Sequence, residues 1–364
     1  MAKTTPLVEM HRAHGAKLIE QDGWILPAHF GAPLEEYEAV RSAVGLFDRC
    51  DYAALTFTGS DRVSWLQGMV SNDVKKLTPG SGVYAAVLDV NGKILADLTV
   101  LCAEESFIFL IWEPLKEKIV AHLNRYLVAD DVEIGDESAR HGMISLQGPR
   151  AMLLLSAVAP DQDPPVHMAS HAALRICERD VSVIRATHTG EEGFDLLIEV
   201  QDVAAIAGEL ERAGAAPGVR WVGVQAQDIL RIEAGLPRYG IDMDAEHLLL
   251  ETGLDQAVSF QKGCYLGQEV IERVHSRGHV NKKLVGILLA GDTAANRGDK
   301  ILSEGKEIGR VTSSVFSPRI KRAVALGYVH RDFLRPATNI SIERDGKQIA
   351  GAIAALPFVY ETSP

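Results

Sequence analysis

Four cysteines in 364 residues is a thin supply. Cys50, Cys102, Cys177 and Cys264 never fall in a CxxC spacing, which excludes a zinc ribbon and a thioredoxin-type dithiol. Sparse, separated cysteines fit a reducing compartment, so the expected location is the cytoplasm. Apolar runs are short as well: none approaches the roughly 18 residues of a membrane span. The stretch from Met1 to Pro6 has no apolar core of a secretory signal. Basic residues are outnumbered, 37 Lys and Arg against 49 Asp and Glu, for a formal net charge of −12. Phosphate neutralisation needs clustered Lys and Arg, so no general nucleic-acid binding is expected. The phosphate loop GxxxxGK[ST], a strand-linked GxGxxG, HExxH and GxSxG are all missing. Nucleotide-cradling loops, zinc proteolysis and serine hydrolysis lose their usual signatures with them.

What remains is a chain with 47% hydrophobic residues, long enough for two or three domains. The pattern predicts helices over residues 7–20 and 34–44, with Gly45 as a stop. A strand is predicted over 53–58. Residues 83–90 and 94–102 are apolar runs joined by Asn91-Gly92, the strongest short-range hairpin signal. Further strands are predicted over 107–112, 142–147, 181–187 and 194–200, and helices after Pro114, over 203–213 and over 224–233. Beyond Gly278 short β-rich runs alternate with Gly, Asp, Asn and Ser, which predicts a small β-barrel or sandwich. The division is therefore drawn as 1–275 and 276–364.

The densest polar cluster is Gln261-Lys262-Gly263-Cys264-Tyr265-Leu266-Gly267-Gln268-Glu269, followed by Arg273. Lys262 and Arg273 are cations able to favour a Cys264 thiolate, and Gly263 would permit close approach of a ligand. The alternative is a glycine-rich turn around a small packing thiol. His275 and His279 have metal-ligand spacing, but Gly278 interrupts the helix between them and no carboxylate completes a set, so no metal site is expected.

These residues bring a family into view. Thr5-Pro6-Leu7, Gly23-Trp24-Ile25-Leu26-Pro27, Gly45-Leu46-Phe47-Asp48, Ser71-Asn72-Asp73-Val74, Leu146-Gln147-Gly148-Pro149, Thr189-Gly190-Glu191 and Leu230-Arg231-Ile232-Glu233-Ala234-Gly235 resemble, in order, the glycine cleavage T-protein, an aminomethyltransferase. Lys262 to Glu269 is similar to the KGCYxGQE signature of the YgfZ-type folate-binding branch, which serves iron–sulfur cluster maintenance and tRNA modification. The resemblance implies an α+β protein with a three-domain arrangement, two interleaved domains within 1–275 and a C-terminal β-barrel. It implies tetrahydrofolate as the bound cofactor.

Three departures from the T-protein pattern shape the functional expectation. The signature cysteine is one. Arg49-Cys50-Asp51-Tyr52 stands where T-proteins read Val-Ser-His-Met. The third is Ile94-Leu95-Ala96-Asp97-Leu98, where T-proteins carry two adjacent aspartates, the first being taken as catalytic; Ala96 occupies that position. A two-residue turn at Asn91-Gly92 puts Ala96 on one face with Asp89, and Asp97 on the other with Tyr84. Asp89 is then the candidate replacement carboxylate, unless it merely caps the turn. The resemblance assigns Asp195 to the pterin edge and Arg231 to folate, unless Arg231 pairs with Asp228 or Glu233. Tyr84 and Tyr239 are candidate pterin walls, and Lys262 is counted with the folate-binding residues. Ala96 and the signature cysteine favour a YgfZ-type folate-binding factor supporting iron–sulfur enzymes as the expected function; the alternative is an aminomethyltransferase acting with the lipoyl carrier protein.

Overall fold

A computed structural model describes residues 2–215 and 218–358, the Arg277 side chain apart. The chain builds two compact units, each from segments far apart in sequence. The first unit gathers Met1–Val87, Ala96–Gln227 and Gln256–Leu266; the second gathers Leu88–Leu95, Asp228–Asp255 and Gly267–Pro364. The linear division at 275/276 does not follow these units. Among the described residues no helix is long and apolar enough to cross a membrane.

The first unit rests on two sheets. One has six strands in the order His171–Ile176, Arg179–Arg185, Gly193–Glu199, His141–Gln147, Val44–Asp48, Val219–Trp221. The other has five, Gly82–Leu88, Ile94–Cys102, Phe107–Trp112, Tyr52–Thr58, Glu133–Asp136. Side chains alternate along a strand, and the alternation sorts each residue to its side. Phe194, Leu196 and Ile198 join a core with Leu154, Leu155, Ile206 and Leu210 of the helices Ala151–Val158 and Val203–Ala213. Leu197 points the other way, into a small core with Met143, Ile184, Ala54, Leu101 and Leu110 that joins the two sheets. Asp195 shares the parity of Leu197, and Asp97 shares that of Leu101.

The second unit contains a closed barrel of six strands, Lys282–Leu289, Arg322–His330, Lys306–Ser317, Lys300–Ser303, Asn339–Arg344, Lys347–Ala354. Ile287, Leu289, Ile301, Val311 and Ala325 fill its core. The barrel expectation holds. Lys300–Ser303, four residues long, is the shortest of the six strands.

The N-terminus departs from expectation. The helix stops at Val8–Ala13 because Gly15 takes a left-handed φ of 74°. Residues 17–20, read as helix, form the strand Lys17–Gln21, paired antiparallel with Trp24–His29. The next helix, Pro33–Ser42, is followed by Val44–Asp48, a buried strand between His141–Gln147 and Val219–Trp221.

Candidate functional site

The two sheets of the first unit are linked by residues 49–51, which leave Val44–Asp48 and enter Tyr52–Thr58. Arg49 stays registered on the first sheet through its amide, which donates to the Met143 carbonyl at 2.9 Å. Its guanidinium is buried and lies 4.3 Å from the centre of the Tyr52 ring. Polar groups converge here from both sheets. Asp195, 5% exposed, comes from the middle of Gly193–Glu199, opposite Ser145 and Ile184. His188 Nε2 lies 3.0 and 2.9 Å from the two oxygens of its carboxylate. From the other sheet, Tyr84 Oη donates to Asp97 Oδ2 at 2.7 Å.

Second contacts hold this arrangement in place. Gln147 is fully buried and accepts the His188 amide at 2.9 Å and the Thr189 hydroxyl at 3.2 Å. A Cβ at Gly193 would fall 2.2 Å from Gln147 Nε2, so the close approach requires glycine there. Arg41 ties down the same loop through the Thr189 carbonyl and Glu191. On the other sheet, Asn72 Nδ2 donates to the Tyr84 carbonyl at 2.9 Å and to the Gln256 carbonyl at 2.9 Å. Lys262 Nζ donates to the carbonyls of Val70 and Asn72 at 2.6 and 2.8 Å. Burial pushes this lysine down to about 8, against the pull of Asp73.

The carboxyls of buried Asp195 and half-buried Asp97 titrate in opposite senses. Burial pushes both up. For Asp195 the attraction and hydrogen bond of His188, then Arg49 and Ser145, more than offset burial and bring it below the usual carboxylate range. For Asp97 burial wins over the Tyr84 hydrogen bond and Arg49, and its carboxyl is raised. Burial likewise raises Tyr52, to about 12, and Tyr84. Two carboxyls with diverging pKa values in one cluster are the pattern of a site that handles protons.

The structure thus groups Asp195 and Tyr84 and adds Arg49, Tyr52, Asp97 and His188, which sequence reasoning did not select. Asp97 was passed over in favour of the Ala96 face. Ala96 is fully buried, while Asp97 is half-buried on the side of the tyrosines. The face it was expected to share with Tyr84 was the available signal. Asp89 belongs to the second unit and is occupied by its own turn: one oxygen accepts the amides of Asn91 and Lys93 at 2.8 and 2.9 Å. Arg231, also of the second unit, holds Asp228 at 2.5 Å, Asp242 at 2.6 Å and the Ser313 hydroxyl at 2.9 Å, so the pairing with Asp228 is made. Tyr239 is buried there and donates to the Ile94 carbonyl at 3.4 Å.

Cys264 is exposed in the first unit. The expected help from Lys262 is not given, because that ammonium is directed to the carbonyls of Val70 and Asn72. Nothing lies within 4 Å of a Cβ at Gly263 either. The close approach in this motif is at Gly267, φ 83°, where a Cβ would fall 2.5 Å from the Asp89 carbonyl oxygen. His275 lies on the helix Gln268–Arg277, and His279 follows its Gly278 cap, φ 93°.

The GCVT N-terminal domain matches residues 7–262, and the glycine cleavage T-protein C-terminal barrel domain matches residues 282–359. The chain belongs to the glycine cleavage T-protein family. It is 35% identical to an aminomethyltransferase of Rubrobacter xylanophilus over 90% of this chain and 87% of that one. It is 33% identical to an aminomethyltransferase of Lysinibacillus sphaericus over 98% and 97%. Among solved structures it is similar to the glycine cleavage system aminomethyltransferase T of Bartonella henselae, at 28% identity and a TM-score of 0.90, covering 99% of this chain and 98% of that one. The α+β T-protein fold expected from the sequence is the fold of this chain.

Proposed function

We propose that this T-protein family member is a tetrahydrofolate-dependent aminomethyltransferase, with the cluster of Asp195, Tyr84 and Asp97 at its centre. The observation that carries this reading is the grouping of the three residues from two sheets about Arg49 and Tyr52, with the Asp195 carboxyl lowered and the Asp97 carboxyl raised from the usual range. The relatives named aminomethyltransferase support it over the YgfZ reading. The group present suits a reduced pterin. Asp195 is a buried carboxylate with lone pairs beyond those that face His188, able to accept paired hydrogen bonds from an amino-pyrimidine edge. Tyr84 and Tyr52 offer aromatic walls. When bound, tetrahydrofolate supplies the nitrogens that accept the one-carbon unit.

The chain's own residues then divide the work. Asp195, held by His188, orients the pterin. Asp97 holds or releases a proton at its carboxyl oxygen, with Tyr84 Oη donating to it and limiting its rotation. Proton control of this kind contributes about 10²–10⁴ in rate. In this reading Ala96 is no obstacle, because the working carboxyl is its neighbour. Arg231 and Lys262 serve as structural ties. The lipoyl carrier protein is the partner that delivers the aminomethyl group.

Calorimetry with 5-formyl-tetrahydrofolate tests the binding half. Asp195→Ala is expected to weaken affinity about ten- to hundredfold, or about 1.5–3 kcal/mol. Absence of heat with folded wild-type protein at millimolar ligand refutes the reading. A second reading, support of iron–sulfur enzymes, is favoured by exposed Cys264 within Lys262-Gly263-Cys264-Tyr265. It requires that Cys264→Ser fail to restore iron–sulfur enzyme activity in a deletion strain while keeping folate affinity. Full complementation discards it.

A further inference from the structure

We propose that His188 stands in the ligand's own place: its ring occupies the carboxylate edge of Asp195 that a pterin reads, and binding exchanges the ring for the ligand. The inference rests on the folate reading above and adds to it a residue that the ligand displaces. It is carried by two nearly equal distances. His188 Nε2 lies 3.0 Å from one Asp195 oxygen and 2.9 Å from the other. A hydrogen-bonding atom equally close to both oxygens sits in front of the edge between them. A carboxylate only accepts, so Nε2 is the donor and shares its proton between the two. An amino-pyrimidine presents two neighbouring N–H donors to that same edge, each about 2.8 Å from one oxygen. Those donors straddle the point where Nε2 stands, well inside the roughly 3.5 Å at which unbonded heavy atoms touch. Ring and ligand therefore exclude one another. The lone pairs that face away from His188 lie on the outer flanks of the carboxylate, where each takes a single donor. The paired reading is completed once the ring has left.

The fold decides which of the two partners yields. Asp195 is buried in the middle of its strand, with Ser145 and Ile184 opposite it on the adjoining strands. The backbone of His188 is fixed as well: its amide donates to Gln147 Oε1 at 2.9 Å, and Arg41 Nη1 donates to the carbonyl of the next residue, Thr189, at 3.2 Å. The His188 side chain is different. It is 25% exposed, and among the described residues its ring makes no hydrogen bond besides those to Asp195. Rotation about its side-chain bonds frees the edge and leaves the loop in place. The ligand brings two donors to a charged acceptor where the ring shares one, so the exchange favours the ligand. While the ring holds the edge, only the fraction of chains with the edge open can bind, and that fraction scales the affinity down.

The test is calorimetry with 5-formyl-tetrahydrofolate on wild type and His188→Ala at one fixed pH. The bond that the ligand must displace is one to a charged acceptor, so its removal should tighten binding about tenfold. A histidine that only props Asp195 predicts the reverse, and unchanged or weaker binding by folded His188→Ala overturns the inference. A second measurement needs wild type alone and decides the matter even where His188→Ala does not fold. In a crystal structure of wild type with 5-formyl-tetrahydrofolate, the pterin's paired donors should face Asp195, and His188 Nε2 should be out of hydrogen-bond distance of both oxygens. A complex in which Nε2 keeps both contacts overturns the inference and leaves the folate reading standing. Absence of heat with folded wild type refutes the folate reading, and this inference with it, which separates the two failures.

Discussion

Replacing Asp97 with asparagine removes one proton site and little else. Tyr84 Oη donates to Asp97 Oδ2 at 2.7 Å, and an amide oxygen in the same place accepts the same bond. The loss in stability and in folate affinity should therefore stay near 1 kcal/mol, a few-fold in Kd. The rate is another matter. If Asp97 manages the proton in aminomethyl transfer, turnover should drop about 10²–10³-fold, equivalent to about 3–4 kcal/mol of barrier. A reconstituted glycine cleavage reaction with loaded lipoyl carrier protein measures this directly. Burial raises the Asp97 carboxyl, so its limb of the pH–rate profile should lie above the ordinary carboxylate range and vanish in the variant. Ala96→Asp is the informative companion. Position 96 is fully buried, so a carboxylate there should cost about 3 kcal/mol or more without raising turnover. Turnover of Asp97→Asn within fivefold of wild type would refute the assignment, and a gain in Ala96→Asp would return the role to the other face.

Arg231→Met takes the paired cation from the fully buried Asp242, which keeps only neutral donors, and should lower the unfolding free energy by about 3–5 kcal/mol in a denaturant titration; a loss under about 1 kcal/mol contradicts the structural role. Lys262 is depressed from 10.5 to about 8 in the folded chain, so the unfolded chain binds more protons between those values and stability should rise with pH there. That rise should disappear in Lys262→Met, and a parallel pH dependence of the two proteins speaks against it. Gly267→Ala forces alanine to φ 83° and against the Asp89 carbonyl; about 1–3 kcal/mol of destabilisation is expected in thermal unfolding, and none would be inconsistent with this geometry. Exposed Cys177 and Cys264 should be alkylated before buried Cys50 and Cys102, and the reverse order in a mass-spectrometric time course contradicts the burial pattern.

The barrel was legible because its short β-rich runs are punctuated by Gly, Asp, Asn and Ser. The hairpin through Asn91-Gly92 was legible for the same local reason. Val44–Asp48 was hidden: it is buried on both faces, and a run this short, directly after the predicted helix and its Gly45 stop, shows no alternation that marks a strand. Asp195 was reached through the family pattern. Arg49 and His188 were not, because they lie in a link and a loop that no local period relates to Asp195. Asp97 was within reach, since alternation had already placed it beside Tyr84; what the sequence lacked was which face of that strand meets the other sheet.

The threading of the two compact units has a consequence for recombination between relatives. Each unit is made of three separated stretches, so the chain changes unit at 87/88, 95/96, 227/228, 255/256 and 266/267. A chimera with one junction after residue 266 keeps the first unit from a single parent but divides the second. One junction before residue 88 does the opposite, and any junction between them divides both. Exchanging a whole unit intact therefore takes crossovers at all five points, and single-junction hybrids of this chain with an aminomethyltransferase at about one-third identity should come out mispacked far more often than the linear family boundaries suggest.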